Sequence, residues 1–415
     1  MLRIFGRELR DCGAEFVVPF KGWSHFAALV PTPVICAYAR TPFGRFRGAL
    51  SGYSAVELGT LAVRELLQRA GIDAASGLVD QLYMGHVLQT AAGQAPARQV
   101  ALGAGLPFST PCTTVNKVCG SSLKAAMIGA TEIMAGRAEV VVAGGMESMT
   151  NAPHFIRGAR RGDEIGYGDL VSILSHDGLQ DAYDGSMMGL TGETIAAEAD
   201  ITRQQSDAYA VRSHALADRA WDKEWVSREC LAMDELDRDE GIRADSSMER
   251  LADLRTAFKE DGQVTAGNAS QVSDGGSAVL IASEEAAAAN GWPVLARISD
   301  FLTSGVEPNR VMSAPILAIE MLLKRNGLEV SDIDVIEHNE AFAAASCAVQ
   351  KAFDFPDEGF NPHGGAVAYG HPLGATGTRC LMTTATALER TGGKRGIITI
   401  CLGGGNAVGM LIERE

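Results

Sequence analysis

A chain of 415 residues, 46% hydrophobic and 21% charged, is long enough for two core-forming halves and has the composition of an ordinary globular protein. Its 36 basic against 51 acidic side chains leave a net charge of −15, which removes global electrostatic support for binding nucleic acid or an anionic membrane. Eight cysteines stand without CxxC pairs and without metal-ligand spacing to a histidine, so the expectation is a reducing, cytoplasmic setting, no disulfide framework and no metal.

Residues 1 to about 31 mix Arg3, Arg7 and Arg10 with Glu8, Asp11 and Glu15, a poor secretory signal. An added element, a weak transit peptide and an over-called start all stay open for this extension. No apolar stretch is long enough to span a bilayer. Further on, Leu66-Leu67-Gln68-Arg69-Ala70-Gly71 followed by Asp80-Gln81-Leu82-Tyr83-Met84-Gly85 predicts helix, glycine cap and strand. The run 113–125 then breaks at Cys119, followed by glycine, two serines and helix formers. That puts a thiol at a helix N-terminus, where unpaired N–H groups and a partial positive charge lower a cysteine pKa and favour the thiolate. A small buried hydrophobe is the bland reading of any cysteine, and the local sequence argues against it here. Val140-Val141-Val142-Ala143 reads as a buried strand closing on Gly144 and Gly145.

Residues 151 to about 275 lose this regularity and are rich in charge and methionine, including Arg157, Arg160, Arg161, Asp163, Glu164 and Ser186-Met187-Met188-Gly189. So long an excursion suits a functional lid or an interface. Within it, residues 200–223 predict an amphipathic helix with a solvated face. The helix, glycine, strand order then returns at Leu322-Leu323-Lys324-Arg325-Asn326-Gly327 and Asp334-Val335-Ile336-Glu337-His338-Asn339. From Asp80 to Cys119 is 39 residues and from Asp334 to His371 is 37, so the chain is a duplicated α/β unit with two equivalent elbows. Residues 361–377 predict a short apolar strand and then Gly370-His371-Pro372-Leu373-Gly374, a stiff elbow with Pro372 in the first turn of a helix. A lone histidine is more often a structural hydrogen-bonder, yet this loop suits presentation of a side chain. The β-branched run ending Cys401-Leu402-Gly403-Gly404-Gly405 lets backbone N–H groups converge on an oxyanion. Strand runs buried on both faces argue a layered α/β arrangement around two sheets, whose pseudo-twofold symmetry brings Cys119 and His371 together.

These segments, with Asn339-Glu340-Ala341-Phe342-Ala343 and Gly144-Gly145-Met146-Glu147-Ser148-Met149, resemble the thiolases, acyltransferases that make or break 3-ketoacyl-CoA, over roughly residues 32–415. The resemblance implies a five-layer αβαβα fold. Its N-terminal half is built from 32–150 and 255–295, its C-terminal half from 296–415, and a loop domain over 151–254 binds CoA and pairs subunits into a homodimer or homotetramer. Cys119 is then the acyl carrier, His371 its base, and Cys401 the group that moves a proton on and off the carbon nucleophile. One oxyanion hole uses His371 with a water held by Asn339; the other uses the N–H groups of Cys119 and Gly403. Ser270 falls against the pantetheine arm with Met188, Ala266, Ala341 and Phe342 around it, and Arg243 at the nucleotide end, each with a structural role as the competing reading. CoA and acyl-CoA are substrates, with no tightly bound cofactor.

Met187 stands where acetoacetyl-CoA-forming members resemble one another in having a histidine, and an apolar neighbour suits longer acyl groups and β-oxidation. His338 and Val311 are further departures with no assigned role. A decarboxylating ketoacyl synthase would carry histidine or asparagine in place of the second cysteine, so Cys401 argues against it. An inactive acyl-CoA-binding relative is disfavoured because every candidate catalytic side chain is present.

Overall fold

Both glycine-capped helix–strand units of the repeat form, and they set the frame for everything else. The computed structural model describes residues 30–157 and 170–415; the N-terminal extension and the charged run around Arg160 and Arg161 lie outside the described residues. The first half runs β1 (Pro33–Arg40), β2 (Gly44–Arg45), α1 (Ala55–Arg69), β3 (Gln81–Gly85), α2 (Pro96–Gly103), β4 (Cys112–Val115), α3 (Ser121–Met134) and β5 (Val140–Ser148). The excursion carries a ribbon of β6 (His154–Ile156) and β7 (Leu170–Ser172), then α4 (Gly189–Glu198), α5 (Arg203–Asp222) and α6 (Met248–Ala252). After β8 (Ser273–Ser283) and α7 (Glu284–Asn290) come β9 (Ala296–Gly305), α8 (Ala314–Asn326), β10 (Val335–His338) and α9 (Ala343–Phe353). The chain closes with α10 (Ala366–Tyr369), α11 (Thr376–Thr391), β11 (Arg395–Leu402) and β12 (Asn406–Glu413).

Local chemistry explains the helix ends. Ser54 and Glu57 cap α1 reciprocally, and Thr202 with Gln205 does the same for α5, so two otherwise orphaned N–H groups are satisfied at each start. Gly327 ends α8 in the left-handed conformation at φ 63°, returning its N–H to the last turn.

The strands run β10-β11-β12-β9-β1-β8-β5-β3-β4, with β2 on β8. Only two residue pairs, Val34 with Arg297 and Ile35 with Ala296, join β1 to β9. The two halves therefore keep their own sheets, which meet at a narrow seam. Helices α1 and α2 cover the outer face of the first sheet, α8 covers the outer face of the second, and α3 and α11 pack on each other between the two, giving the five layers expected. Every residue of β5 and β8 is buried, the pattern of strands covered on both faces.

Two local expectations are overturned. Residues Ala366–Tyr369 form one helical turn rather than a strand, because Ala368 and Tyr369 return their N–H groups to Gly365 instead of meeting a strand partner. Pro372 is not in the first turn of α11, which starts at Thr376; its carbonyl accepts from the Ala375 and Thr376 N–H groups and makes a turn ahead of the helix.

The halves touch backbone to backbone at their elbows. A Cβ built on Gly145 would lie 1.8 Å from the Gly374 carbonyl oxygen, and one on Gly374 would lie 2.3 Å from the Met146 carbonyl oxygen. Only hydrogen fits between these segments. Glu147, at the same end of β5, accepts the N–H groups of Val87 and Leu88 at 3.1 Å each and that of Gly374 at 2.9 Å, so one carboxylate stitches the first half to the histidine elbow of the second. Gly145→Ala is expected to destabilise the protein by about 1–3 kcal/mol in urea unfolding and, by displacing the 371–374 segment, to lower kcat by about a hundredfold. Wild-type values for both would show that the contact is dispensable.

Candidate active site

β4 delivers the chain to a tight turn in which Asn116 Oδ1 accepts the Val118 N–H at 3.0 Å and Ser121 Oγ accepts the Lys117 N–H at 2.8 Å. Held in this way, Val118 adopts φ 48°, a left-handed conformation costly for a β-branched residue. Cys119 follows immediately, one residue before Gly120, the N-cap of α3. The thiol therefore sits at the mouth of the helix rather than in its first turn.

The histidine elbow rests on Gly370, whose φ of 99° only glycine adopts readily and whose Cβ would meet Ser273 Oγ at 2.1 Å. The His371 N–H bonds the Gln271 carbonyl at 3.0 Å, and its ring Nδ1 lies 2.7 Å from Thr376 Oγ1. Asn339, buried at the end of β10, brings Nδ2 to 3.4 Å from His371 Nε2. Cys401 lies at the end of β11, and its thiol is pushed up first by burial and then by nearby Cys119, so the two cysteines share the cavity. Gly404 and Gly405 turn the chain with φ 88° and 82°, whereas a Cβ on Gly403 would meet nothing nearer than Val118 Cγ1 at 3.5 Å. The chain's own packing does not require glycine at 403.

These pieces line one cavity of about 60 Å³: Cys119, His371, Cys401 and Gly403 on one side, Met188, Ser270, Ala341 and Phe342 on another. The Ser270 N–H bonds the Ala341 carbonyl at 2.9 Å and the Ala343 N–H bonds the Asn268 carbonyl at 2.8 Å, so the loop before β8 is stapled to the segment before α9. Arg243 and Ala266 are exposed and do not line the cavity, and neither does Met187. Gly178, Leu179, Val311, Met312, Leu373 and Leu402 complete the walls, so the Val311 departure lies at the cavity. Nothing in the sequence singled out Leu179 or Met312, which lie in the short helical turns Leu174–Leu179 and Pro308–Ser313, too short to carry a periodic signal.

Electrostatics reverse one expectation. Burial pushes the Cys119 thiol up to about 12; the N–H groups of Cys119 and Gly403 beside the sulfur oppose this only in part, and Glu147 adds to the rise. Cys119 as a residue keeps partial exposure, but the sulfur has little water around it, and the helix start does not make a resting thiolate. Burial, with a smaller contribution from Arg379, pushes His371 down to about 3. Thiol and imidazole are both neutral at working pH. Alkylation of the resting protein by iodoacetamide is accordingly expected to accelerate at Cys119 about tenfold per pH unit from 7 to 10, following the thiolate fraction. A pH-independent plateau at neutral pH would reveal a preformed ion pair instead.

The thiolase N-terminal domain model matches residues 33–285 and the thiolase C-terminal domain model residues 292–414. A probable acetyl-CoA acetyltransferase of Escherichia coli is 43% identical over 390 residues, covering 92% of this chain and 99% of that protein. An acetyl-CoA acetyltransferase of Pseudomonas aeruginosa is 43% identical over 391 residues with the same coverage. The crystal structure of Acat5 thiolase from Ascaris suum in complex with coenzyme A superposes with a TM-score of 0.87 at 36% identity, covering 92% of this chain and 100% of that one. The chain belongs to the thiolase family and is an acyltransferase of that class. These relatives favour neither a decarboxylating condensing enzyme nor a silent binder.

Proposed function

We propose that this thiolase interconverts acetoacetyl-CoA plus CoA with two molecules of acetyl-CoA, carrying the acyl group on Cys119. The observation that carries this is the meeting of Cys119, His371 and Cys401 in one cleft, each delivered by a different strand or elbow. The Cys119 proton passes to His371 and the sulfur attacks the thioester carbonyl; when the tetrahedral adduct collapses, the carbonyl–sulfur bond to CoA breaks and the leaving CoA sulfur takes the proton from His371. The oxyanion that forms is received by the N–H groups of Cys119 and Gly403, already beside the sulfur; one such donor is worth about 2.7–4 kcal/mol in a well-measured case. Cys401, in the same cavity as Cys119, takes the proton from the methyl carbon of the second acetyl-CoA. Asn339, beside His371 Nε2, serves the second oxyanion hole.

CoA is a substrate here. Its pantetheine arm would follow Met188, Ser270, Ala341 and Phe342, and its nucleotide end would reach the exposed Ala266 and Arg243; the Ascaris suum thiolase in complex with coenzyme A supports CoA as the ligand. The small cavity walled by Leu179, Met312 and Leu373 suits a short acyl group, as do the relatives named acetyl-CoA acetyltransferases. Met187, outside the wall, gives no room to a longer one. The excursion over 151–254 is the proposed CoA-binding and subunit-pairing region of a homodimer or homotetramer. A cytoplasmic setting suits the seven free cysteines of the described residues, none of whose helices is long and apolar enough to cross a membrane.

Thiolysis of acetoacetyl-CoA is expected to exceed that of a long-chain 3-ketoacyl-CoA by more than about tenfold in kcat/KM; the opposite order would assign the protein to degradation of longer chains. Cys119→Ser should abolish the acyl-enzyme. Cys401→Ala should still exchange an acyl group with CoA while losing carbon–carbon bond chemistry by about 10²–10⁴-fold, and an intact condensation rate would remove Cys401 from the mechanism.

A further inference from the structure

Among the described residues His371 is the one titratable ring lining the cleft, and the nitrogen that carries its hydrogen decides whether it can accept a proton there. Its Nδ1 is engaged by Thr376 Oγ1 at 2.7 Å. The same hydroxyl bonds the Pro372 carbonyl at 2.9 Å, and a carbonyl can only accept. A threonine hydroxyl has a single hydrogen. A hydroxyl that gives this hydrogen to Pro372 offers the ring only lone pairs, an arrangement in which Nδ1 is the N–H and Nε2 is bare. On the other side of the ring, Asn339 Nδ2 lies 3.4 Å from Nε2, and an amide nitrogen only donates. Two neighbours from different elements thus fit the same tautomer. Thr376 is wholly buried, out of reach of bulk solvent.

We propose that Thr376 is a positioning residue that locks His371 in the Nδ1–H tautomer and so keeps Nε2 free to receive the Cys119 proton. This rests on the assignment of His371 as the base for Cys119. In the step itself the Cys119 S–H bond breaks, the proton moves to Nε2 and the electron pair stays on sulfur. The imidazolium formed keeps its Nδ1–H bond to Thr376, so the ring does not have to turn before it gives the proton back. The competing role is a helix-starting threonine that happens to touch the ring, and that role is indifferent to the tautomer.

The test uses the whole protein with ¹⁵N-labelled histidine, the His371 signals being those missing from His371→Asn. In the resting wild type, Nδ1 is expected at a protonated and Nε2 at an unprotonated shift. Thr376→Val should yield a mixed or reversed pattern, and Thr376→Ser, which keeps the hydroxyl, should restore the wild-type one. Formation of the acetyl-enzyme from acetyl-CoA, followed as release of free CoA, is expected to slow about 10–100-fold in Thr376→Val with KM unchanged, and to recover in Thr376→Ser. An Nε2–H tautomer in the wild type, or Thr376→Ser as slow as Thr376→Val, overturns the proposal while leaving the base assignment standing. Wild-type acetylation in His371→Asn would overturn both.

Discussion

The close approach of Gly145 and Gly374 is the constraint on which the site depends. Cys119 and His371 belong to different halves of a duplicated chain, and no local element holds them together. What does is a contact in which the last strand of one half meets the elbow of the other with no side chain between them. Glu147 fixes the same junction by accepting N–H groups from both sides, and its burial pushes that carboxyl up to about 7, the mark of a group held for its geometry against the cost of desolvation. The two sheets themselves share only a two-pair seam, so the halves are joined by the packing of α3 on α11 between them and by the elbows.

Desolvation then governs the chemistry. A helix start contributes roughly 0.3–1 kcal/mol toward a charged thiolate, and each pKa unit corresponds to about 1.4 kcal/mol, so a rise from an ordinary 9.0 to about 12 outweighs the dipole. The same burial keeps His371 neutral. In the proposed mechanism a neutral donor and a neutral acceptor make charge only when a thioester arrives to receive it, with the N–H groups of Cys119 and Gly403 beside the sulfur where that charge would develop.

Much of this was legible in the chain because it is local. The repeat, the capped helices and the two elbows are patterns of neighbouring residues, and motif resemblance extended them to Cys401, Gly403 and the wall formed by Met188, Ser270, Ala341 and Phe342. The sequence misled where a partner from elsewhere decides. The run Ala366–Tyr369 has the composition of a strand but no strand beside it, and Pro372 stands in a turn because Thr376 starts the helix. The Cys119 thiol was read from the helix behind it, while the apolar residues above it belong to distant segments. Thr376 and Glu147 gave no signal alone, since their roles lie wholly in what the fold brings to them.

The strained turn at Val118 and the buried sulfur after it bear on the lifetime of the protein as much as on its turnover. Peroxide and other oxidants attack the thiolate, and sulfenic acid once formed is open to further, irreversible steps. If Cys119 is the nucleophile proposed above, a thiol kept neutral between encounters with substrate is chemically quiet, and its exposure to such damage scales with the time it spends at work rather than with the age of the molecule.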